Sequence, residues 1–264
     1  MIRSIAIGAF DGIHTAHNVL INKAYALVVI ERNSAILTPG YKRSEHITKP
    51  IFFYHLDKIK DLTPKEFVKL LISNFADLEE IIVGYDFGFG KNKSGNIDTL
   101  KEFFKGRVTV VDAIKHEHIA VHSRAIKEYI REGKIQDANR LLGRSYVIEG
   151  DVISGQGLGG KHFVPTLNID VRRYLLPKEG IYATRTKIYD IWHKSVSFIG
   201  HRVSTDGKFA VETHVLDKEL HNITGSIKIS FEYFIRENRK FDDLGELKKQ
   251  IIDDIGKTKE LKYE

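Results

Sequence analysis

The 264-residue chain contains no cysteine. This excludes a disulfide scaffold, thiolate zinc sites and a cysteine nucleophile, and it fits a reducing compartment such as the cytoplasm. No stretch approaches the ~18 consecutive apolar residues of a membrane-spanning helix, and the opening MIRSIAIGAFDGIH has no signal-peptide apolar core. Neither secretion nor a membrane partner is expected. The chain also lacks an internal repeat, a low-complexity segment and any run of about five or more basic residues. With 41 Lys+Arg against 35 Asp+Glu the net charge is +6. These charges are dispersed, which favours a solvated basic surface over nucleic-acid binding and leaves small polyanions such as nucleotides as partners. What is present is globular: 42% hydrophobic and 29% charged residues, enough for one large domain or two modest ones.

The first half alternates strand and helix patterns. A buried strand is expected over residues 4–9, then a helix with Val19, Leu20, Ala24 and Leu27 on one face. Residues 35–37 and 51–54 are short strand candidates. Thr63-Pro64-Lys65-Glu66 is a helix start, with Thr as cap, Pro first and an acid in the first turn; Phe67, Leu70, Leu71 and Phe75 form the helix face. Strands over 80–83 and 108–111 flank a helix over 99–104. Such alternation implies a parallel sheet with helices on its faces. Helices over 125–132, capped by Ser123, and 136–142 stop at Gly133 and Gly143. The pattern then changes. β-rich runs over 146–153, 181–188, 195–199, 209–216 and 226–234 imply a barrel or sandwich, closed by a helix over 244–255. Domains of 1–143 and 144–264 are expected.

Gly8-Ala9-Phe10-Asp11-Gly12-Ile13-His14-Thr15-Ala16-His17 lies between the first strand and the first helix. Parallel sheets bind ligands at the carboxyl ends of their strands. Glycines let backbone approach phosphates, and a helix N-terminus supplies free N–H groups. His14 and His17 share one side of the first helical turn and can donate to a phosphate that gains charge. The plainer reading is a tight turn with surface histidines; a zinc pair is a third, without an evident third ligand. The pattern points to nucleotide binding by Gly8, Phe10, Asp11 and Gly12, with both histidines acting on phosphate.

Residues 86–95 form a glycine-rich loop after a strand, with two exposed phenylalanines, Phe87 and Phe89. Aromatics there can stack on a flat ring system, or form a packed turn. Gly155, Gly157 and Gly160 satisfy GxGxxG, but Pro165 and the β-branched residues that follow prevent a helix, so a dinucleotide fold is rejected. A Gly-rich hairpin turn is the plain reading of this loop. Thr166 and Asn168 bring a hydroxyl and a carbonyl to one side of a strand and suit Mg²⁺ carrying nucleotide phosphates. Glu212 stands alone in a β-run. It is either a solvent-facing strand residue or a general base with raised pKa, and alternation does not decide between them. His116, His118 and His122 have metal-like spacing but no carboxylate in register; a loop of solvated histidines is expected.

In order and spacing these segments resemble the bacterial bifunctional riboflavin kinase/FAD synthetases. Residues 8–17 look like the GxFDGxHxGH signature of nucleotidylyltransferases, and residues 82–91 like the family's VGYDFRFGK. Ala138-Asn139-Arg140-Leu141-Leu142-Gly143-Arg144 is similar to its linker ANRLLGR, Pro165-Thr166-Leu167-Asn168 to its PTAN, Val211-Glu212-Thr213-His214 to its VETH, and residues 241–255 to its C-terminal helix. The resemblance implies α/β plus β architecture: a Rossmann-like nucleotidyltransferase domain, then a Greek-key β-barrel flavokinase domain with a C-terminal helix. It implies phosphorylation of riboflavin to FMN and adenylylation of FMN to FAD, with ATP and Mg²⁺. Glu212 would be the kinase base, Gly155, Gly157 and Gly159 would cover phosphates, and Asp86, Phe87 and Phe89 would be flavin contacts. Ser123 and Lys127, at the position of the SSTxIR motif, would bind nucleotide, Lys127 stabilising charge beside His14 and His17. Ala16 replaces a family glycine, Lys127 an arginine, and the stretch between Leu37 and Ile51 lacks a TFxPHP segment. A protein with one working module and a non-catalytic flavin- or nucleotide-binding regulator are the competing readings; retained Glu212 argues against the regulator.

Overall fold

Runs of Ile, Val and Ala without polar alternation belong in strands buried on both faces, and such runs build the sheet of the first unit. In this computed structural model, which describes residues 1–34, 36–117, 119–154, 164–204, 206–218 and 222–263, the chain divides into units Met1–Ser123 and Arg124–Glu264. In the first unit β1 (Ser4–Gly8), β2 (Ala26–Glu31), β3 (Ile51–His55), β4 (Glu80–Gly84) and β5 (Arg107–Val111) form a parallel sheet in the order β3-β2-β1-β4-β5. Successive residues face opposite ways. Ile5, Ile7, Val28, Ile81 and Val83 pack with Phe67, Leu71 and Phe75 around α3 (Pro64–Asn74). Ala6, Leu27, Val29 and Ile82 pack with Leu20 and Ile21 of α1 (Thr15–Lys23) and with Phe10 and Ile13. The unit also contains α2 (Leu56–Ile59), α4 (Ile97–Phe103), 3₁₀ turns over Gly40–His46 and Lys91–Lys93, and a hairpin of β6 (Lys115–His116) and β7 (Ile119–Ala120).

The start of α3 follows its sequence signals. Thr63 Oγ1 accepts from the Glu66 amide at 3.3 Å and Glu66 Oε2 from the Thr63 amide at 2.8 Å, a reciprocal cap. Two expectations need correction. The helix expected to carry Leu27 ends at Lys23, because the apolar run Ala26–Glu31 is a fully buried strand beside β1. The strand expected at residues 35–37 is absent at Ile36 and Leu37, whose amides bond the Asp11 carboxylate instead of a neighbouring strand; Ala35 lies outside the described residues.

The second unit contains α5 (Ser123–Glu132) from its second residue and α6 (Ile135–Leu142), which end at Gly133 and Gly143 with φ of 77° and 72°. β8 (Tyr146–Ile153), β9 (Leu167–Val171), β10 (Gly180–Ile188), β11 (Ile191–His201), β12 (Phe209–Val215) and β13 (Ser226–Glu237) close into an antiparallel barrel in the order β10-β11-β12-β9-β8-β13. The β10–β11 hairpin is bypassed when β9 pairs with β12, a Greek-key connection. A barrel, not a sandwich, therefore forms. α7 (Leu244–Glu260) is held by an Arg236–Asp254 ion pair at 2.7 Å.

The barrel interior is partly polar. Thr184, Thr186, Ser195, Ser197 and Thr213 are fully buried. Their hydroxyls form a closed ring, Thr184–Ser195–Thr186–Thr213–Ser197–Thr184, with separations of 2.8 to 2.9 Å. One donor per hydroxyl lets each member of a ring be satisfied, as burial requires.

The linker helices belong with the barrel. The Ile130 carbonyl accepts from the Lys178 amide at 3.1 Å. Asn139 donates to the Phe231 carbonyl at 2.9 Å and accepts from the Tyr146 amide at 2.7 Å. Ile135, Ala138, Leu141 and Leu142 of α6 are buried. A fragment 124–264 is thus expected to unfold at a higher temperature than a fragment 144–264, by on the order of 10 °C or more, since exposing several large apolar side chains costs a few kcal/mol. Thermal scans of the two fragments check this.

Candidate active sites

At the carboxyl end of β1 the chain makes a turn that most side chains resist. Phe10, Gly12 and Ile13 have φ of 48°, 95° and 43°. Positive φ at two bulky buried residues marks backbone held in place by its surroundings. Gly8 suits that packing, because a Cβ there would lie a tight 3.3 Å from the Phe10 ring. The Asp11 carboxylate accepts from the amides of Ile36, Leu37 and Thr38 at 3.3, 2.9 and 3.1 Å. The Asp11 carbonyl accepts from the Ser123 hydroxyl at 2.7 Å. Asp11 and Ser123 thus act here as supports of the turn.

The turn delivers His14 to the N-cap of α1. His14 Nδ1 accepts from the His17 amide at 3.3 Å, and His17 Nδ1 from the His14 amide at 3.4 Å. Histidines thereby replace the usual Ser/Thr and Glu/Gln of a capping box. Since both Nδ1 atoms accept, the ring proton of each neutral imidazole is on Nε2. The rings stack with centroids 3.5 Å apart at 16°, and the Phe10 ring meets His17 edge-on at 5.1 Å. The result is a stacked imidazole pair at a helix N-terminus, the kind of place where anions bind. The His spacing was legible in the sequence; the mutual cap and the tautomers were not. Lys127 lies on α5, four residues after Ser123.

The 86–95 loop closes on itself, the Phe89 and Gly95 amides bonding each other's carbonyls at 3.0 and 2.9 Å. The expectation of two exposed phenylalanines is corrected. Phe89 is buried against Phe67, with ring centroids 5.5 Å apart. Phe87 stacks on Phe89 at 5.3 Å and is half-buried, and Asp86 is exposed. Glycine at 90 and 95 lets the loop lie directly on Pro64. Tyr85, singled out by no pattern, is exposed and its hydroxyl lies 3.3 Å from His122 Nε2. His116 sits on the hairpin and His118 lies outside the described residues. Among the described residues no three His, Asp or Glu groups converge to hold a metal.

The second site lies on the barrel wall. Val211, Thr213 and Val215 point inward, and the hydroxyl ring locks Thr213 there. Strand alternation then puts Glu212 and His214 on the other face. Glu212 pairs in register with Asn168 across β12 and β9, and Thr166 lies just before β9. His214 Nδ1 lies 2.7 Å from the Pro165 carbonyl, to which it donates, tying the Pro165–Asn168 segment to β12. Arg202 donates to Glu212 at 3.2 Å and to Asp206 at 2.9 Å. Burial pushes the Glu212 carboxyl above the ordinary glutamate range, and Arg202 draws it partly back. Beside this cluster is a cavity of about 440 Å³ lined in part by Ile153, Asn168, Asp170, Arg202, Lys208 and Phe209. Gly155, Gly157 and Gly159 lie outside the described residues. Arg202 and His214 are site residues that pattern reading passed over: His214 was visible within the VETH-like segment, whereas nothing local signalled Arg202.

Two family models match the chain: riboflavin kinase over residues 142–262 and FAD synthetase over residues 42–125. Curated relatives described as bifunctional riboflavin kinase/FMN adenylyltransferase include those of Listeria monocytogenes (28% identity, 97% of this chain and 91% of the relative), Bacillus subtilis (25%, 95% and 89%) and Mycoplasma pneumoniae (26%, 97% and 96%). A crystal structure described as a macrolide-efflux protein from Streptococcus pneumoniae superposes with a TM-score of 0.86 at 23% identity, covering 98% of this chain and 94% of that one. At that identity the likeness speaks for the fold alone.

Proposed function

Because the chain belongs to the bifunctional riboflavin kinase/FMN adenylyltransferase family, we propose an assignment of its residues to the two reactions. The protein phosphorylates riboflavin to FMN and adenylylates FMN to FAD, using ATP in both steps. Adenylylation is assigned to residues 1–143 and phosphorylation to 144–264. The setting is the cytoplasm, in keeping with a cysteine-free chain; among the described residues no helix is long and apolar enough to cross a membrane.

In the kinase, Glu212 takes the proton of the ribityl 5′-hydroxyl. The oxygen attacks the γ-phosphorus and ADP leaves with the electrons of the broken bond. A carboxylate raised by burial is suited to this role, since a base is most useful with a pKa nearer the working pH. Thr166 and Asn168 would hold Mg²⁺, which supplies charge neutralisation on the transferring phosphate when bound. The fit is to two oxygen donors beside the Glu212 carboxylate, since Mg²⁺ takes oxygen ligands and substrate phosphates and waters complete its shell. The observation that carries this reading is the register of Glu212 against Asn168.

In adenylylation, a phosphate oxygen of FMN attacks the ATP α-phosphorus and pyrophosphate leaves. No protein base is needed, because that oxygen is already ionised. Nε2–H of His14 and of His17 stabilise the charge that builds on the α-phosphate, with Lys127 as a further cation. Gly8, Phe10, Asp11, Gly12 and Ser123 shape the nucleotide pocket. Asp86, Phe87 and Phe89 form the flavin side, with Phe87 offering the accessible ring. The partners are small molecules, ATP, riboflavin and FMN, with no nucleic acid or membrane. Incubation with riboflavin and Mg-ATP, followed by chromatography, tests the whole reading: FMN should form first and FAD after it. FMN without FAD would reduce the first unit to a scaffold.

A further inference from the structure

We infer that Arg43 is a positioning residue for adenylyl transfer: it holds the carbonyl of Phe10 and through it sets His14 and His17. The inference rests on the reading that residues 8–17 perform that reaction. Arg43 comes from the stretch between Leu37 and Ile51, where the expected TFxPHP segment is lacking, in a 3₁₀ turn over Gly40–His46. It is fully buried. Its Nε donates to the Phe10 carbonyl at 3.3 Å, and its Nη1 donates to the Gly40 carbonyl at 2.9 Å and to Glu31 at 2.5 Å. Glu31 ends β2, the neighbour of β1. One guanidinium therefore ties the end of β2, its own turn and the β1–α1 turn together. A planar fork with several donors can serve three acceptors at once, which an ammonium serves less well.

The Phe10 carbonyl is the closing point of the strained turn. It also accepts from the Ile13 amide at 3.4 Å, and His14 is the next residue. Displacing that carbonyl shifts the N-cap histidine and, through the reciprocal cap, its stacked partner. The same loop is gripped from the other side, where the amides of residues 36–38 bind the Asp11 carboxylate. Stability alone is a poor account of Arg43. Buried ion pairs seldom repay their desolvation, and Arg43 Nη2 has no hydrogen-bond partner among the described residues. What the pair provides is geometry. Arg43 touches no reacting atom: the FMN phosphate oxygen bonds to the α-phosphorus, the bond to the bridging oxygen breaks, and pyrophosphate carries off the electron pair.

The test uses the full chain carrying Glu31→Met together with Arg43→Met, which leaves no lone buried charge, alongside Arg43→Lys. Riboflavin phosphorylation is the internal control and should stay within about twofold of the parent. FMN adenylylation should fall by about 10²-fold, more in kcat than in the KM for ATP, the size of effect a small misplacement of catalytic groups produces. Arg43→Lys should recover part of it. Hydrogen exchange of peptides spanning residues 9–17 should accelerate by about tenfold or more while barrel peptides are unchanged. Adenylylation within about twofold of the parent in the double variant overturns the inference, as does equal loss of both activities. If the parent itself forms no FAD, the reading of residues 8–17 fails. The exchange measurement then decides the positioning role alone, and unchanged exchange at residues 9–17 overturns it.

Discussion

Glu212→Gln abolishes riboflavin phosphorylation while FMN supplied in the medium is still converted to FAD. The substitution keeps the shape of the side chain and a carbonyl oxygen for Arg202, whose Nη1 lies 3.2 Å from Glu212. It removes the capacity to take a proton, together with the negative charge that faces Arg202. Loss of a positioned general base costs about 10²–10⁴ in rate, and the histidine turn is untouched. Chromatography after incubation with riboflavin or with FMN separates the two activities, and near-parent FMN formation would overturn the role of Glu212. The pH profile has a definite sign. Burial raises the Glu212 carboxyl, and the protonated acid cannot accept the hydroxyl proton. Phosphorylation by the parent should therefore slow as pH falls through that raised pKa, at a higher pH than an exposed glutamate would give.

His14→Asn lowers FMN adenylylation by about 10²–10³-fold, the usual cost of removing one donor aimed at a developing charge. Asparagine is chosen because its side-chain oxygen still caps α1, so the helix keeps most of its N-terminal stabilisation. What disappears is the ring, its Nε2–H and its stack on His17. Riboflavin phosphorylation should be unchanged, since Glu212 and Asn168 belong to the barrel. Steady-state rates for both reactions and a thermal scan provide the check. A variant that melts like the parent and still makes FAD at the parental rate would remove His14 from the chemistry.

Much of this molecule was legible because local signals agree with the global fold. Thr63-Pro64 and Glu66 announce α3, Gly133 and Gly143 end α5 and α6, and the β-runs after residue 146 map onto barrel strands. The errors have physical causes. Leu27 fits a helical spacing, yet β2 is a central parallel strand, and strands buried on both faces carry no alternation to separate them from buried helix. Phe89 reads as a loop aromatic, but glycine at 90 and 95 lets the loop fold onto Pro64 and bury the ring.

By itself the sequence determined the two-part architecture, the histidine turn and the isolated Glu212, because period, turn chemistry and motif spacing are properties of neighbouring residues. Only tertiary structure decided which face Glu212 takes, since that depends on a hydroxyl ring drawn from β10, β11 and β12. Only tertiary structure joined Arg43 to Phe10 and Asp11 to the amides of residues 36–38. Those bonds span 25 to 33 residues. A bond of that reach leaves no periodic trace, because its partners are brought together by the packing of separate strands and loops rather than by the geometry of any one element.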